Sequence, residues 1–99
     1  IGGTAHAKEL GGSEITAVLS GNSITAPDEV QYFNPDGSTI YKTGGKRQTG
    51  KWSVEGNKYC SNLGEGKKCY AVEGGKGSVS FIVNGKPYKY KISKGQKVK

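Results

Sequence analysis

The order of apolar and polar positions divides the chain into one short helical stretch followed by a long series of alternating runs. In "GGSEITAVLSGN", Ile15, Val18 and Leu19 recur at i, i+3 and i+4, the spacing that gathers side chains on one helix face. Ser13 is positioned to cap the first turn, and Glu14 sits where the helix dipole favours a carboxylate. Gly21 is placed to end the helix in the left-handed conformation. A helix of about two turns does not persist alone in water, so its apolar stripe must dock on a larger element.

Everything after Gly21 reads as strands joined by tight turns. "EVQYFNPDGSTIYK" sets Asn34-Pro35-Asp36-Gly37 between two alternating runs, which suits a type I turn with a bulge. That turn pairs Tyr41 with Gln31, on the face opposite Tyr32 and Ile40. "KWSVEGNKYC" repeats the device at Gly56-Asn57, so Val54 faces Tyr59 and Trp52 shares their side. "SVSFIVNGKPYKYKI" turns at Asn84-Gly85, a pair suited to a type I′ turn; Phe81 then faces Tyr88 and Val79 faces Tyr90, with Ser80 and Lys89 on the other side. The predicted core is Ile15, Val18, Leu19, Tyr32, Ile40, Trp52, Val54, Tyr59, Val72, Val79, Phe81 and Tyr88. The fold class is mainly β: a single antiparallel meander of seven or eight short strands, as a barrel or half-open barrel, with one short N-terminal helix. Residues 1–12 are read as a flexible N-terminal segment and residues 13–99 as one β-rich domain.

Composition narrows this picture. Of 99 residues only 32% are hydrophobic and 17 are Gly, so a single domain with a thin core is expected. Six Tyr, two Phe and one Trp, together with repeated β-branched alternation, separate the chain from disordered sequences. No apolar run approaches the ~18 residues of a membrane-spanning helix. Ala5-His6-Ala7 has the A-x-A form of a signal-peptidase site, with a chance Ala-His-Ala in a floppy terminus as the alternative. Without a preceding apolar segment or an initiator Met, the chain reads as a processed or trimmed product.

"KYCSNLGEGKKCY" contains the only two cysteines, Cys60 and Cys69. Each neighbours a core tyrosine in sequence, so both point away from the core on adjacent strands, where a disulfide can form. A tetrahedral metal site would need two more soft ligands, and a thiol nucleophile would need a base; His6 is the only histidine. A Cys60–Cys69 disulfide is therefore expected, with two free thiols as the alternative, and no metal or catalytic residue is assigned. A disulfide places the protein in the periplasm or outside the cell.

Net charge is +7, and 14 of the 15 cationic residues are lysine. Lysine attracts anions at long range but lacks the planar fork with which arginine reads bases, so sequence-specific nucleic-acid recognition is not expected. Residues 76–99 carry seven lysines and no acid. Lys86, Lys89, Lys91, Lys94 and Lys97 are the candidate residues for an anionic protein or envelope component, although lysines on a terminal strand also discourage edge-to-edge pairing. The tyrosines mostly fall on the predicted core face; Tyr41 does not, and is the candidate exposed aromatic. "KTGGKRQTGK" and "EGGKGS" lack the spacing of phosphate loops and read as turns. No two of the eight carboxylates are spaced locally for acid/base catalysis.

The order "LSGNSI", "YFNPDGS", "GKWSVEGNKYC", "KKCYAV" resembles a group of small exported bacterial domains of uncharacterised function. They share an LSGNT-like helix end, a YFAPDGT-like hairpin, a G-x-W strand and two spaced cysteines. The resemblance covers about Glu14 to Val83, implies export and a β-rich fold, and supplies no active residues. The functional expectation is a non-catalytic exported binding or accessory domain, monomeric and without a cofactor, whose basic surface meets an anionic protein, envelope polymer or membrane surface. A small basic hydrolase or nuclease acting on an anionic polymer is the alternative.

Overall fold

The computed structural model describes residues 8–99. Ala5-His6-Ala7 and the first seven residues of the segment expected to be flexible lie outside the described residues. The elements run β1 (Lys8–Glu9), α1 (Gly12–Leu19), β2 (Asn22–Ala26), β3 (Glu29–Phe33), β4 (Ser38–Thr43), β5 (Lys46–Glu55), β6 (Lys58–Asn62), β7 (Lys68–Gly75), β8 (Ser78–Val83) and β9 (Lys86–Lys94). From β2 onward every strand pairs antiparallel with the next, and β9 returns to pair with β2 through Ile24 opposite Ile92. The expected meander is thus a closed eight-stranded barrel, which leaves no long unpaired edge. Strand β1 adds to β7 beyond the end of β6, with Lys8 opposite Gly74. Residues 8–12, expected to be part of a flexible lead-in, are therefore structured. The Leu10 amide donates to the Val72 carbonyl at 2.8 Å and the Leu10 side chain is buried.

Local chemistry sets the registers. Asn84 and Gly85 both take positive φ (52° and 79°), the type I′ geometry whose twist matches the flanking strands. Phe81 opposite Tyr88 and Val79 opposite Tyr90 follow from it. The Gly56-Asn57 turn gives Val54 opposite Tyr59. The Asn34–Gly37 turn closes with a Gly37 amide to Asn34 carbonyl bond of 3.0 Å and places Gln31 opposite Tyr41.

Helix α1 starts two residues earlier than its sequence suggests. Gly11, not Ser13, is the N-cap, because the Glu14 carboxylate reaches back to the Gly11 amide at 2.9 Å and Asn57 Oδ1 accepts from the Gly12 amide at 2.9 Å. Ser13 lies within the helix. The second bond ties the helix start to the β5–β6 turn, and Ile15 and Leu19 are fully buried against the barrel. The helix closes the end of the lumen where the Asn34–Gly37 and Gly56-Asn57 turns lie.

Above it, Ile24, Phe33, Trp52, Val72 and Val79 form the core. Phe33 is fully buried and meets Trp52 and Tyr59 edge to face, with centroids 5.4 and 5.6 Å apart, the arrangement that aromatic quadrupoles favour. Tyr59 then packs on Phe81 at 4.9 Å and Phe81 on Tyr90 at 5.7 Å. This aromatic series runs from the closed end toward the open one.

Three predicted core residues are misplaced. Tyr32 and Ile40 are only half-buried and lie on the outside, whereas their neighbours Gln31, Phe33 and Thr39 are buried within. The register is as expected, but the opposite face turns inward. The outer face of β2–β4 is itself covered by the C-terminal tail: Ser23 Oγ donates to the Gly95 carbonyl at 2.6 Å and accepts from the Lys97 amide at 3.0 Å, and Val98 is buried. Lys42 Nζ reaches the Lys99 carbonyl at 3.0 Å. Two covered faces make apolarity a poor guide to the inside. Tyr88 does face the lumen but stands at its rim, 49% exposed.

Candidate functional site: the open end of the barrel

The end opposite the helix is not filled. Eight strands enclose a lumen just wide enough for packed side chains or for one small ligand, and here the upper half is a cavity of about 480 Å³. Its walls follow from strand pairing. Gln31, Tyr41 and Gln48 stand side by side across β3, β4 and β5. Tyr59 and Tyr70 are paired across β6 and β7, and Phe81 and Tyr88 across β8 and β9. The 63–67 loop contributes Leu63, Glu65 and Gly66 to the rim, next to Lys68.

Glu29 is the carboxylate inside this wall. Tyr41 donates a short hydrogen bond to Glu29 Oε2, and the Tyr90 hydroxyl donates to Glu29 Oε1 at 3.3 Å. Burial, and then the adjacent Glu29 carboxylate, raise both phenols above the ordinary tyrosine value. Both hydroxyls therefore keep their protons and act as donors. Deeper, Gln31 Nε2 donates to Thr39 Oγ1 at 2.9 Å and to the Tyr59 hydroxyl at 3.1 Å, and the Thr39 hydroxyl in turn donates to the Tyr32 carbonyl at 2.7 Å. Burial raises Tyr59 against the opposing hydrogen bonds from Ser61 and Gln31. The floor is thus a satisfied polar network, rigid and fixed in orientation.

Among the described residues the ion pairs are Lys8–Glu14, Lys67–Glu55 and Lys68–Glu65. Glu29 belongs to none of them. Its charge is dispersed into two neutral phenols and is not cancelled by a cation.

Other sequence-derived candidates lie elsewhere. Cys60 and Cys69 face one another across β6 and β7 and are joined in a disulfide on the outside of the barrel. Cys60 is fully buried there and Cys69 exposed. The Glu55 carboxylate lies beside the pair, held by Lys67 at 2.7 Å and Ser53 at 3.3 Å. Oxidised sulfurs are not thiolate ligands, so this trio does not make a metal site. Lys86, Lys89, Lys91, Lys94 and Lys97 are all exposed but do not converge. Lys86 follows the Asn84-Gly85 turn at the open end, Lys89 and Lys91 share the outer face of β9, Lys94 ends that strand, and Lys97 sits in the tail. From Lys86 to Lys94 the strand alone spans about 26 Å. Tyr41, expected to be exposed, is half-buried within the lumen. It is on the face opposite Tyr32 as expected, but closure of the sheet makes that face the interior.

Glu29, Gln31 and Gln48 were not candidates in the sequence. Their one signal is shared parity with Tyr41 through the hairpin register, which becomes informative only once the sheet is known to close. No family model matches the chain, and no curated protein or solved structure shows significant similarity to it.

Proposed function

We propose that this protein is a non-catalytic binding domain of the periplasm or the extracellular space, which takes a small ligand into the open end of its barrel. The observation that carries the reading is the 480 Å³ cavity, walled by aromatic rings and floored by a few oriented polar groups. Pockets for small molecules are built in this way: apolar walls supply affinity, and sparse polar groups supply orientation. The disulfide supports an oxidising compartment.

A screen of small aromatic and polar fragments, read by backbone amide shifts, tests the reading. Binding fragments are expected to move Gln31, Gln48, Ser61, Tyr70 and Tyr88 together. Shifts scattered over the outer strands, or none at all, would refute it. Turnover of an anionic polymer that is lost in Glu29→Gln would instead make the protein a small basic hydrolase.

The lysines favour a second, separate contact. Lys89 and Lys91 project from the outer face of β9, within a stretch of seven lysines and no acid. Such a face suits an anionic protein or envelope polymer, held at long range and weakened by salt. The triple variant Lys89→Gln, Lys91→Gln, Lys94→Gln is expected to slow association with a polyanion such as heparin and to flatten its salt dependence. An unchanged salt dependence would reduce the lysines to solubility and edge protection.

A further inference from the structure

We propose that the open end of the barrel accepts an organic cation, with an ammonium or quaternary ammonium group seated between tyrosine rings and the Glu29 carboxylate. The inference deepens the reading of this cavity as a ligand site and rests on it.

Three observations converge. The first is charge. On a chain of net charge +7, the cavity wall holds two carboxylates, Glu29 and Glu65, against one ammonium, Lys68. Lys68 pairs with Glu65, 3.8 Å away at the rim, and among the described residues Glu29 forms no ion pair within 4 Å. Lys42, Lys97 and Lys99 border it only in a separate hollow beside Asp28 and Val30. The exterior lysines stand in water, where salt screens them; a carboxylate in a half-enclosed pocket is screened much less.

The second is the wall itself. Tyr41, Tyr59, Tyr70, Tyr88 and Tyr90 all line the cavity, five of the chain's six tyrosines. A cation is attracted to the negative face of an aromatic ring, and the attraction grows as both are withdrawn from water. An anion placed against the same rings and beside Glu29 would be repelled by both.

The third is the state of the phenols. Tyr41 and Tyr90 already direct their O–H groups at Glu29, so they neutralise none of its charge yet fix its position. Each carboxylate oxygen retains acceptor capacity for an N–H donor, and a quaternary group needs only the charge. The cavity volume of 480 Å³ admits a compact amine with a modest organic substituent.

The test compares charged probes with uncharged isosteres. Choline is set against dimethylbutanol, in which carbon replaces nitrogen, and benzylammonium against benzyl alcohol, with benzoate as the anion. Affinities are read from amide shifts of Gln48, Ser61 and Tyr88. The two cations are expected to bind at least ~10-fold more tightly than their isosteres, with benzoate weakest. Glu29→Gln should bring cation and isostere to within ~2-fold of each other. Tyr88→Leu, at the exposed rim where folding is not at stake, should weaken the cations several-fold, and Lys68→Gln should tighten them.

If the isosteres bind as well as the cations, or Glu29→Gln changes nothing, the cation assignment falls while the binding-barrel reading stands. Preference for benzoate would also overturn it. If no probe moves the wall residues even at tens of millimolar, both readings fall together.

Discussion

Replacing Cys60 and Cys69 together with alanine removes the one covalent link in the barrel. The two residues are nine apart in sequence, so the link closes a loop of about ten residues. In the chain-entropy relation that closure restricts the unfolded chain by about 2.6 kcal/mol at room temperature. The folded state changes little, because the Cys60 and Cys69 backbones are already register partners between Tyr59–Tyr70 and Ser61–Lys68. Alanine is the appropriate replacement at position 60, since that side chain is fully buried. Serine there would add a buried hydroxyl, with a further cost of about 1–3 kcal/mol if unpaired. For a domain of this size a loss of 2.6 kcal/mol lowers Tm by roughly 13 °C. Urea unfolding followed by Trp52 fluorescence should show the midpoint fall with the slope m nearly unchanged. A double alanine variant within about 3 °C of the parent would refute the entropic argument, because it would mean that the β6–β7 loop is equally restricted without the bond.

Gly50→Ala should destabilise by about 1–3 kcal/mol, because the added methyl would lie 2.2 Å from the Asn62 carbonyl oxygen and 2.9 Å from Leu63 Cδ2. Displacement of the 63–67 loop should also weaken fragment binding at the rim; chemical denaturation and an amide-shift titration check both. Raised pKa values in the fold mean that Tyr41, Tyr59 and Tyr90 contribute stability that is intact below the unfolded tyrosine value of 10.0 and falls as pH climbs past it. Phenolate absorbance should show a late-titrating component, diminished in Tyr41→Phe and Tyr90→Phe; its absence would contradict their burial. Changing Lys89, Lys91 and Lys94 to glutamine should shift stability by no more than about 1 kcal/mol, since all three are exposed. A larger loss by thermal melting would mean that they brace the barrel.

Local chemistry was legible in the chain. Asn84-Gly85, Gly56-Asn57 and Asn34–Gly37 are turns whose backbone requirements a few residue types meet, and a tight turn sets register for the strands on either side. The disulfide followed from that register, and so did the pairing of Tyr41 with Gln31. The helix was legible from its stripe of Ile15, Val18 and Leu19, although its cap was not. The Glu14 and Asn57 side chains satisfy the first amides, and Asn57 arrives from 45 residues away.

Which face of the hairpins turns inward was decided elsewhere. Alternation reports that two faces differ, not which one meets solvent, and in β3 and β4 both faces carry large side chains. Tail residues Gly95–Val98 cover the outside of β2, closure through Ile24 and Ile92 makes the other face a lumen, and only then do Glu29, Gln31 and Tyr41 come together. These contacts join residues as much as 74 positions apart, and no window of local sequence contains them. A composition of 32% hydrophobic residues announced a thin core. It took the closed sheet to convert the missing apolar volume into a cavity, because eight strands enclose more space than this chain has apolar side chains to fill.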